Sequence, residues 1–424
     1  MRSNESLGVV GLGEVGLRLA IAFTDAGFDV LGVDVDAERT AALNHGSSYI
    51  SDIPDTAVQS LTANGFEATT KYDRLTEVSH VAVCVPTPLQ KSGQPDISYI
   101  VSATESLAAV IEPETTVIIE STVYPTATER AVSGVFEDAG FTVGEDVFLA
   151  SSPERVDPGN DAYSLTEIPK IVGGVTPQCG DHVEALYGEV FETIKRVDSS
   201  TEAEMAKILE NTFRNVNIAL VNELAKVADN FDIDFWRVIE AAETKPYGFM
   251  PFYPGPGLGG HCIPVDPMYI SWKAKQDGLK TPLIDLADTT NREMPSYVVT
   301  RIIESLNDRG VPVPDADVMV LGVTYKPNVA DIRNSPALDI IEELEAHDAS
   351  ISFHDPYVDT VEVHNNGTYE STALTAERLS AADCVVIATD HSQFDFDFVV
   401  EHSEFVFDTR NATEGRSTAT IERL

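Results

Sequence analysis

One cysteine stands apart in this chain of 424 residues. Cys262 lies in Gly255-Pro-Gly-Leu-Gly259-Gly260-His261-Cys262-Ile-Pro264-Val-Asp266, among glycines, beside a histidine and four residues before an aspartate. That setting exposes backbone N–H groups and favours a thiolate, the form that attacks carbon. The residues alone leave a nucleophile and a buried thiol both open. Cys84 and Cys384 sit in apolar strand-like runs and read as core, and Cys179, after Pro177 and Gln178, reads as the start of a helix. Lys207 and Asn211 are four residues apart and share one face of a helical stretch, where Arg214, Asn215 and Asn222 extend a polar stripe. Asparagine weakens a helix by competing for its backbone hydrogen bonds, so Asn211, Asn215 and Asn222 point to directed hydrogen bonds. A solvated face is the alternative.

Gly11-Leu-Gly13-Glu-Val-Gly16 follows a strand-like run and opens a helical one. The glycines permit a tight turn, close approach to a pyrophosphate and close helix–strand packing, while the helix N-terminus favours the anion. Asp34 ends the next strand, 18 residues after Gly16, where a carboxylate accepts from a ribose hydroxyl. Position 35 is Val, with no Arg beside it, which favours NAD over NADP; Arg39 is the nearest cation. Val85-Pro86-Thr87-Pro88 and Ser121-Thr122 follow the third and fourth strands, at the edge where doubly wound sheets bind ligands. Ser152-Pro-Glu154-Arg155-Val156-Asp157-Pro158-Gly159 and Tyr325-Lys326-Pro327 with Arg333 add loop carboxylates and cations. Each of these taken singly also reads as an ordinary turn.

These groups need a scaffold, and the alternation of short apolar runs with helical stretches supplies one. Leu7–Val10, Asp29–Val33, His80–Val85, Thr116–Glu120 and Val147–Ala150 read as strands, with helices such as Glu14–Ala26 and Ile97–Ile111 between them. The pattern implies βαβ units and a parallel sheet. From Ser199 the pattern is helical, with Glu202 and Glu204 three residues after Ser199 and Thr201 as capping partners. Lys245–Pro267 is too rich in Gly and Pro for regular structure, and a helical pattern from Leu283 to Arg309 is divided at Pro295. Beyond the linker at Gly310, strands at Asp317–Val323, Ser350–His354, Asp383–Ala388 and Glu404–Asp408, with a helix at Ser335–Ala346, form a second, smaller α/β sheet.

Composition narrows the partners. Asp plus Glu is 69 against 28 Lys plus Arg, a formal net charge of −41, which repels nucleic acid and anionic membrane. The acids are scattered, as expected of a surface adapted to a high-salt cytoplasm, where the Debye length shrinks to roughly 3 Å near 1 M salt. No apolar run approaches a membrane span and the N-terminus lacks a signal-peptide core. The four single cysteines, with no CxxC, fit a reduced cytoplasmic interior and argue against both a disulfide scaffold and a metal site.

The pieces GLGEVG, VPTP, STV, SPERVDPGN, AEMAKILENTFR, GPGLGGHCIPVDP and LGVTYKPNVADIRNSPA run in that order almost end to end. Together they resemble the nucleotide-sugar 6-dehydrogenase family, which includes the UDP-glucose and GDP-mannose dehydrogenases. The resemblance implies an α/β fold: two Rossmann-like doubly wound domains joined by a central all-helical dimerisation domain. The boundaries expected are 1–198 for the NAD-binding domain, 199–309 for the helical domain with the Cys loop, and 310–424 for the nucleotide-sugar-binding domain. It implies oxidation of a sugar C6 alcohol to a carboxylate with two NAD, in a homodimer. Cys262 would trap the aldehyde as a thiohemiacetal and then a thioester. Lys207 and Asn211 would stabilise the oxyanion, Asp266 would assist acid/base chemistry, and Thr122 and Glu154 would orient water or substrate. The cofactor contacts implied are Gly11, Gly13, Glu14, Val15, Gly16, Asp34, Arg39, Pro86, Thr87 and Thr122. The substrate contacts implied are Arg155, Val156, Lys207, Asn211, Arg214, Gly259, Gly260, His261, Lys326 and Arg333. The chemistry agrees: a covalent adduct holds the aldehyde for its second oxidation, and a tetrahedral adduct needs cationic or donor groups nearby.

UDP-glucose members typically read Gly-Gly-Ser-Cys-Phe-Pro-Lys-Asp around the nucleophile, whereas this chain has His261 for that Ser and Val265 for that Lys. They also carry a Glu four residues after the SPE glutamate, where this chain has Pro158, with Asp157 one position earlier. Both departures resemble the N-acetylhexosamine branch, above all UDP-N-acetylmannosamine dehydrogenases, with UDP-N-acetylglucosamine and UDP-glucose 6-dehydrogenases as alternatives. Two rivals stay open. A two-electron dehydrogenase of the 3-hydroxyacid type needs neither Cys262 nor a third α/β domain, and an NAD-binding regulator needs no turnover.

Overall fold

The computed structural model describes residues 5–50, 52–90, 92–157, 163–363, 367–416 and 420–424. The chain divides into two compact units, Met1–Glu210 with Met268–Lys280, and Asn211–Pro267 with Thr281–Leu424.

The first unit is built on β1 (Ser6–Val10), β2 (Asp29–Val33), β3 (Glu67–Thr69), β4 (His80–Val83), β5 (Thr115–Ile119), β6 (Val147–Ser151), β7 (Lys170–Gly174) and β8 (Ile194–Arg196). They form one sheet in the order β3-β2-β1-β4-β5-β6-β7-β8. The central strands are continuous runs of Val, Ile and Leu because helices cover both faces of the sheet. The β6–β7 pair is antiparallel, a departure from the all-parallel expectation, while the other neighbours run parallel. Chain order reverses between β1 and β4, the switch point at which doubly wound sheets open a crevice. The segments after β1, β4, β5 and β6 therefore carry the glycine motif, Val85–Pro88, Ser121-Thr122 and Ser152–Val156 at the carboxyl ends of adjacent strands.

The second unit holds β9 (Asp317–Leu321), β10 (Ser350–His354), β11 (Thr360–Val363), β12 (Gly367–Glu370), β13 (Cys384–Ile387), β14 (Phe405–Asp408) and β15 (Thr420–Arg423). Its parallel sheet has the order β10-β9-β13-β14-β15, with β11 and β12 as a separate antiparallel pair. The switch point lies between β9 and β13, so the Tyr325–Arg333 loop after β9 leaves at the ligand-binding edge.

Helices make up the middle of the chain. A long helix, Ser200–Asp229, starts where expected: the Ser199 hydroxyl accepts from the Glu202 amide, and the Glu202 carboxylate reaches back to the Asp198 amide. The Leu283–Arg309 pattern is two helices, Pro282–Arg292 and Met294–Asp308, with Pro295 in the first turn of the second, where its missing N–H costs nothing. A second expectation fails. Lys245–Pro267 is not irregular throughout, because a helix, Cys262–Gln276, begins at the cysteine despite Pro264 and Pro267. No helix among the described residues is long and apolar enough to cross a membrane.

Candidate active site

In the first unit the three glycines have distinct geometry. Gly11 has φ +89°, and a Cβ there would fall 2.6 Å from the Cys84 carbonyl oxygen. A Cβ on Gly16 would strike the Gly11 carbonyl, whereas nothing lies within 4 Å of one on Gly13. The turn is closed on the sheet side and open at Gly13, the cradle a pyrophosphate needs. Asp34 is buried; it accepts from the Leu12 amide at 2.8 Å and the Asp36 amide at 2.9 Å, with the Arg39 guanidinium 3.9 Å away. Leu12 is held from its other side as well, its carbonyl accepting from the Tyr49 hydroxyl. Burial, then the Asp34 charge, pushes that hydroxyl up to about 12. Val35 is exposed, leaving open space where a 2′-phosphate partner would stand. The residues fit NAD. Glu14 and Val15 open the helix Glu14–Asp25 beside this turn.

Thr87 is buried, and its carbonyl accepts from the Tyr269 hydroxyl, which fixes the Pro86-Thr87 loop. The Ser121 hydroxyl does not line a crevice: it donates to the Val85 carbonyl at 2.7 Å, and Thr122 beside it is half-buried. Glu154 is buried, with Oε1 accepting from the Arg155 and Val156 amides and Oε2 from Lys170. The Arg155 side chain is engaged within the protein. Its guanidinium forks onto Glu210 and donates to the Pro169 carbonyl, so its contribution at the loop is backbone. Pro158 lies outside the described residues. Lys207 is 7% exposed and forms no ion pair among the described residues. A buried ammonium without a carboxylate is costly, and it is what a site expecting an anion would keep.

In the second unit Cys262 is exposed at the first position of its helix, where backbone N–H groups have no intrahelical acceptor and an anion is favoured. Asp266 is buried one turn below and accepts from the Asn211 amide nitrogen at 2.6 Å. Pro267 has no N–H for the Ile263 carbonyl, and Asn215 Nδ2 donates to that carbonyl instead, at 3.3 Å. The chain of amides continues: Asn291 Nδ2 donates to the Asn215 carbonyl, Asn222 Nδ2 to Asn291 Oδ1, and the Gly255 amide to Asn222 Oδ1. The asparagine stripe is thus a buried network that holds both ends of the Gly255–Cys262 loop. Asn215→Ala is expected to lower stability by about 1–3 kcal/mol, since it strands a buried carbonyl; a melting temperature equal to that of the parent protein would reject that role. Arg214 is exposed, off this network.

Gly259 and Gly260 pack flat against Tyr325, where side chains would collide with its ring and with the Asn334 carbonyl. The Gly260 amide donates to the Arg333 carbonyl at 2.8 Å, and Asn334 Nδ2 donates to the Gly260 carbonyl at 2.9 Å. The Cys262 loop and the Lys326–Arg333 loop, 64 residues apart at Cys262 and Lys326, are therefore one surface. Burial, then Arg333, lowers the affinity of His261 for a proton. Arg333 pairs with Asp331, and Lys326 is half-buried. Among the residues that went unnoticed in the sequence, three lie in this unit. Buried His391 accepts from the Asn328 amide at Nδ1 and sits 3.1 Å from Asp355 through Nε2, bracing the loop after β9. Arg410, just after β14, lies against Gly255. Among the described residues no three His, Cys, Asp or Glu side chains are grouped to hold a metal ion.

Comparison with known proteins places these features in one lineage. Residues 5–191 match the NAD binding domain of the UDP-glucose/GDP-mannose dehydrogenase family, 201–293 its central domain and 319–415 its UDP binding domain. A UDP-N-acetyl-D-glucosamine 6-dehydrogenase of Pseudomonas aeruginosa is 37% identical over 91% of this chain and 90% of its own. A UDP-N-acetyl-D-mannosamine dehydrogenase of Pyrococcus horikoshii is 35% identical over 92% of this chain and 90% of its own. A solved structure of the P. horikoshii UDP-D-ManNAc dehydrogenase superposes with a TM-score of 0.88 at 31% identity, covering 99% of this chain and 98% of that one. The chain belongs to the UDP-glucose/GDP-mannose dehydrogenase family.

Proposed function

We propose that this NAD-dependent nucleotide-sugar dehydrogenase oxidises the C6 alcohol of UDP-N-acetyl-D-mannosamine to the uronic acid through a covalent adduct on Cys262. The observation that carries the reading is an exposed cysteine at a helix N-terminus, with Asp266 buried one turn below and the Lys326–Arg333 loop bonded to its glycines. NAD, held by the Gly11–Gly16 turn and Asp34, supplies the hydride acceptor when bound. After the first oxidation the Cys262 sulfur bonds to the C6 aldehyde carbon, and its oxygen takes negative charge. Lys207 and Asn211 stabilise that oxyanion, and Asp266, which accepts from the Asn211 side chain, takes up the thiol proton. Loss of a second hydride leaves a thioester; water adds to it, the C–S bond breaks, and the carboxylate departs with the thiol restored. Thr122 and Glu154 orient that water.

Counting NADH released per sugar consumed tests the reading across UDP-N-acetylmannosamine, UDP-N-acetylglucosamine, UDP-glucose and GDP-mannose at high salt. Two per sugar is expected, with the mannosamine derivative fastest. One per sugar would favour the two-electron rival, and none with NAD still bound would favour a regulator. Preference for UDP-N-acetylglucosamine is the second reading, favoured by the 37% identity to the P. aeruginosa relative. Exposed Phe213, Leu220, Leu224, Val227 and Phe231 on and just after the long helix support a homodimer through that helix. The acid excess supports work in a high-salt cytoplasm.

A further inference from the structure

We infer that Lys170 is a positioning residue for this reaction: its ammonium fixes the direction and charge of the Glu154 carboxylate, with Glu120 as the second arm of the clamp. The inference rests on the functional reading above, which gives Glu154 its place in the chemistry.

Lys170 is the first residue of β7 and is 3% exposed. Its Nζ lies 2.7 Å from Glu120 Oε2 and 2.8 Å from Glu154 Oε2. Glu154 Oε1 takes the amides of Arg155 at 2.6 Å and Val156 at 2.8 Å, so the carboxylate is held at both oxygens. The other Glu120 oxygen accepts from the Tyr187 hydroxyl. Two carboxylates and one ammonium buried together are poor value for stability, since a well-packed apolar trio would serve as well or better. Their location gives them another use. Glu120 directly precedes Ser121-Thr122 after β5, and Glu154 lies in the loop after β6. One ammonium thus pins the ends of three strands at the edge that carries Thr122 and Glu154.

Among the described residues the other titratable groups facing the cluster are Tyr187, from the helix Pro177–Gly188, and Cys84, just after β4. The Phe191 ring closes it, 5.4 Å from the ammonium. Burial pushes Glu120 up to about 7 against the pull of Lys170. At Glu154 burial also acts upward, but Lys170 and the two amides outweigh it and hold the group below the usual carboxylate range. Near neutral pH Glu154 is therefore the carboxylate, and Glu120 is the member that takes up a proton. Removing the ammonium reverses the balance at Glu154. Its proton affinity rises, and activity that needs the carboxylate is lost at a higher pH.

The test is the pH profile of NADH formation by the full-length enzyme. Lys170→Met is expected to lower kcat at pH 7 about 100-fold. It should leave KM for the sugar little changed, move the acid limb up by about one pH unit or more, and regain turnover in alkali. Lys170→Arg keeps the charge and should restore the original limb and most of the turnover. Glu120→Gln, which leaves the ammonium to Glu154 alone, should move the limb the other way and stays informative if Lys170→Met does not fold. A kcat loss equal at every pH, or an unmoved limb in both variants, would overturn the inference. Should the parent protein oxidise none of the sugars, the functional reading fails by itself. The clamp is then read from infrared carboxyl absorption at pH 7, where Lys170→Met must add a buried protonated carboxyl.

Discussion

Cys262→Ser is expected to make no measurable uronic acid, a loss of about a thousand-fold or more, while binding NAD as the parent protein does. The serine hydroxyl is isosteric but far less acidic than a thiol, so it stays protonated beside a base as weak as the Asp266 carboxylate and attacks a carbonyl poorly. Cofactor binding should persist because Gly11, Gly13, Gly16 and Asp34 lie in the first unit, whereas Cys262 lies in the second. Quantifying the carboxylate product alongside an NAD titration checks both halves. Acid production at the parent rate would remove the covalent mechanism, and loss of NAD affinity would show that the substitution had disturbed more than one sulfur.

Lys207→Ala is expected to lower kcat by about 100- to 1000-fold, the usual cost of deleting one oxyanion donor. A group that acts only as charge develops lowers kcat and kcat/KM together and leaves KM nearly unchanged. Lys207 is a candidate for that behaviour because it is buried without an ion partner among the described residues, unlike Lys170. Steady-state kinetics with the best UDP-sugar gives the answer. An unchanged kcat would demote Lys207 to packing, and a rise in KM alone would make it a ground-state substrate contact.

What could be read from the chain beforehand followed from local rules. The glycine turn, Asp34 and the apolar strands are encoded within a few residues of one another, and their spacing is set by the βαβ unit itself. Cys262 stood out because it lies among glycines and not in an apolar run, although the residues alone left a buried thiol open. The asparagine stripe was legible as a stripe, but its partners were not: Asn291 lies 69 residues from Asn222, and only the folded chain brings them together. Lys170 gave no signal. A lysine that opens a strand reads as solvated, and its carboxylates come from positions 120 and 154 on other segments. The helical start at Cys262 was masked by Pro264 and Pro267, whose effect on the backbone is offset by a side chain from another helix. The Arg155 partner was hidden for the same reason: Glu210, which its guanidinium grips, lies 55 residues further along the chain.

The flat seating of Gly259 and Gly260 on Tyr325 bears on any attempt to broaden the range of sugars by directed evolution. Libraries that randomise either glycine will spend their diversity on chains whose two loops no longer meet. His261 stands half-buried beside them, and under the function proposed above it is the position where variation would reach the sugar without dismantling that floor.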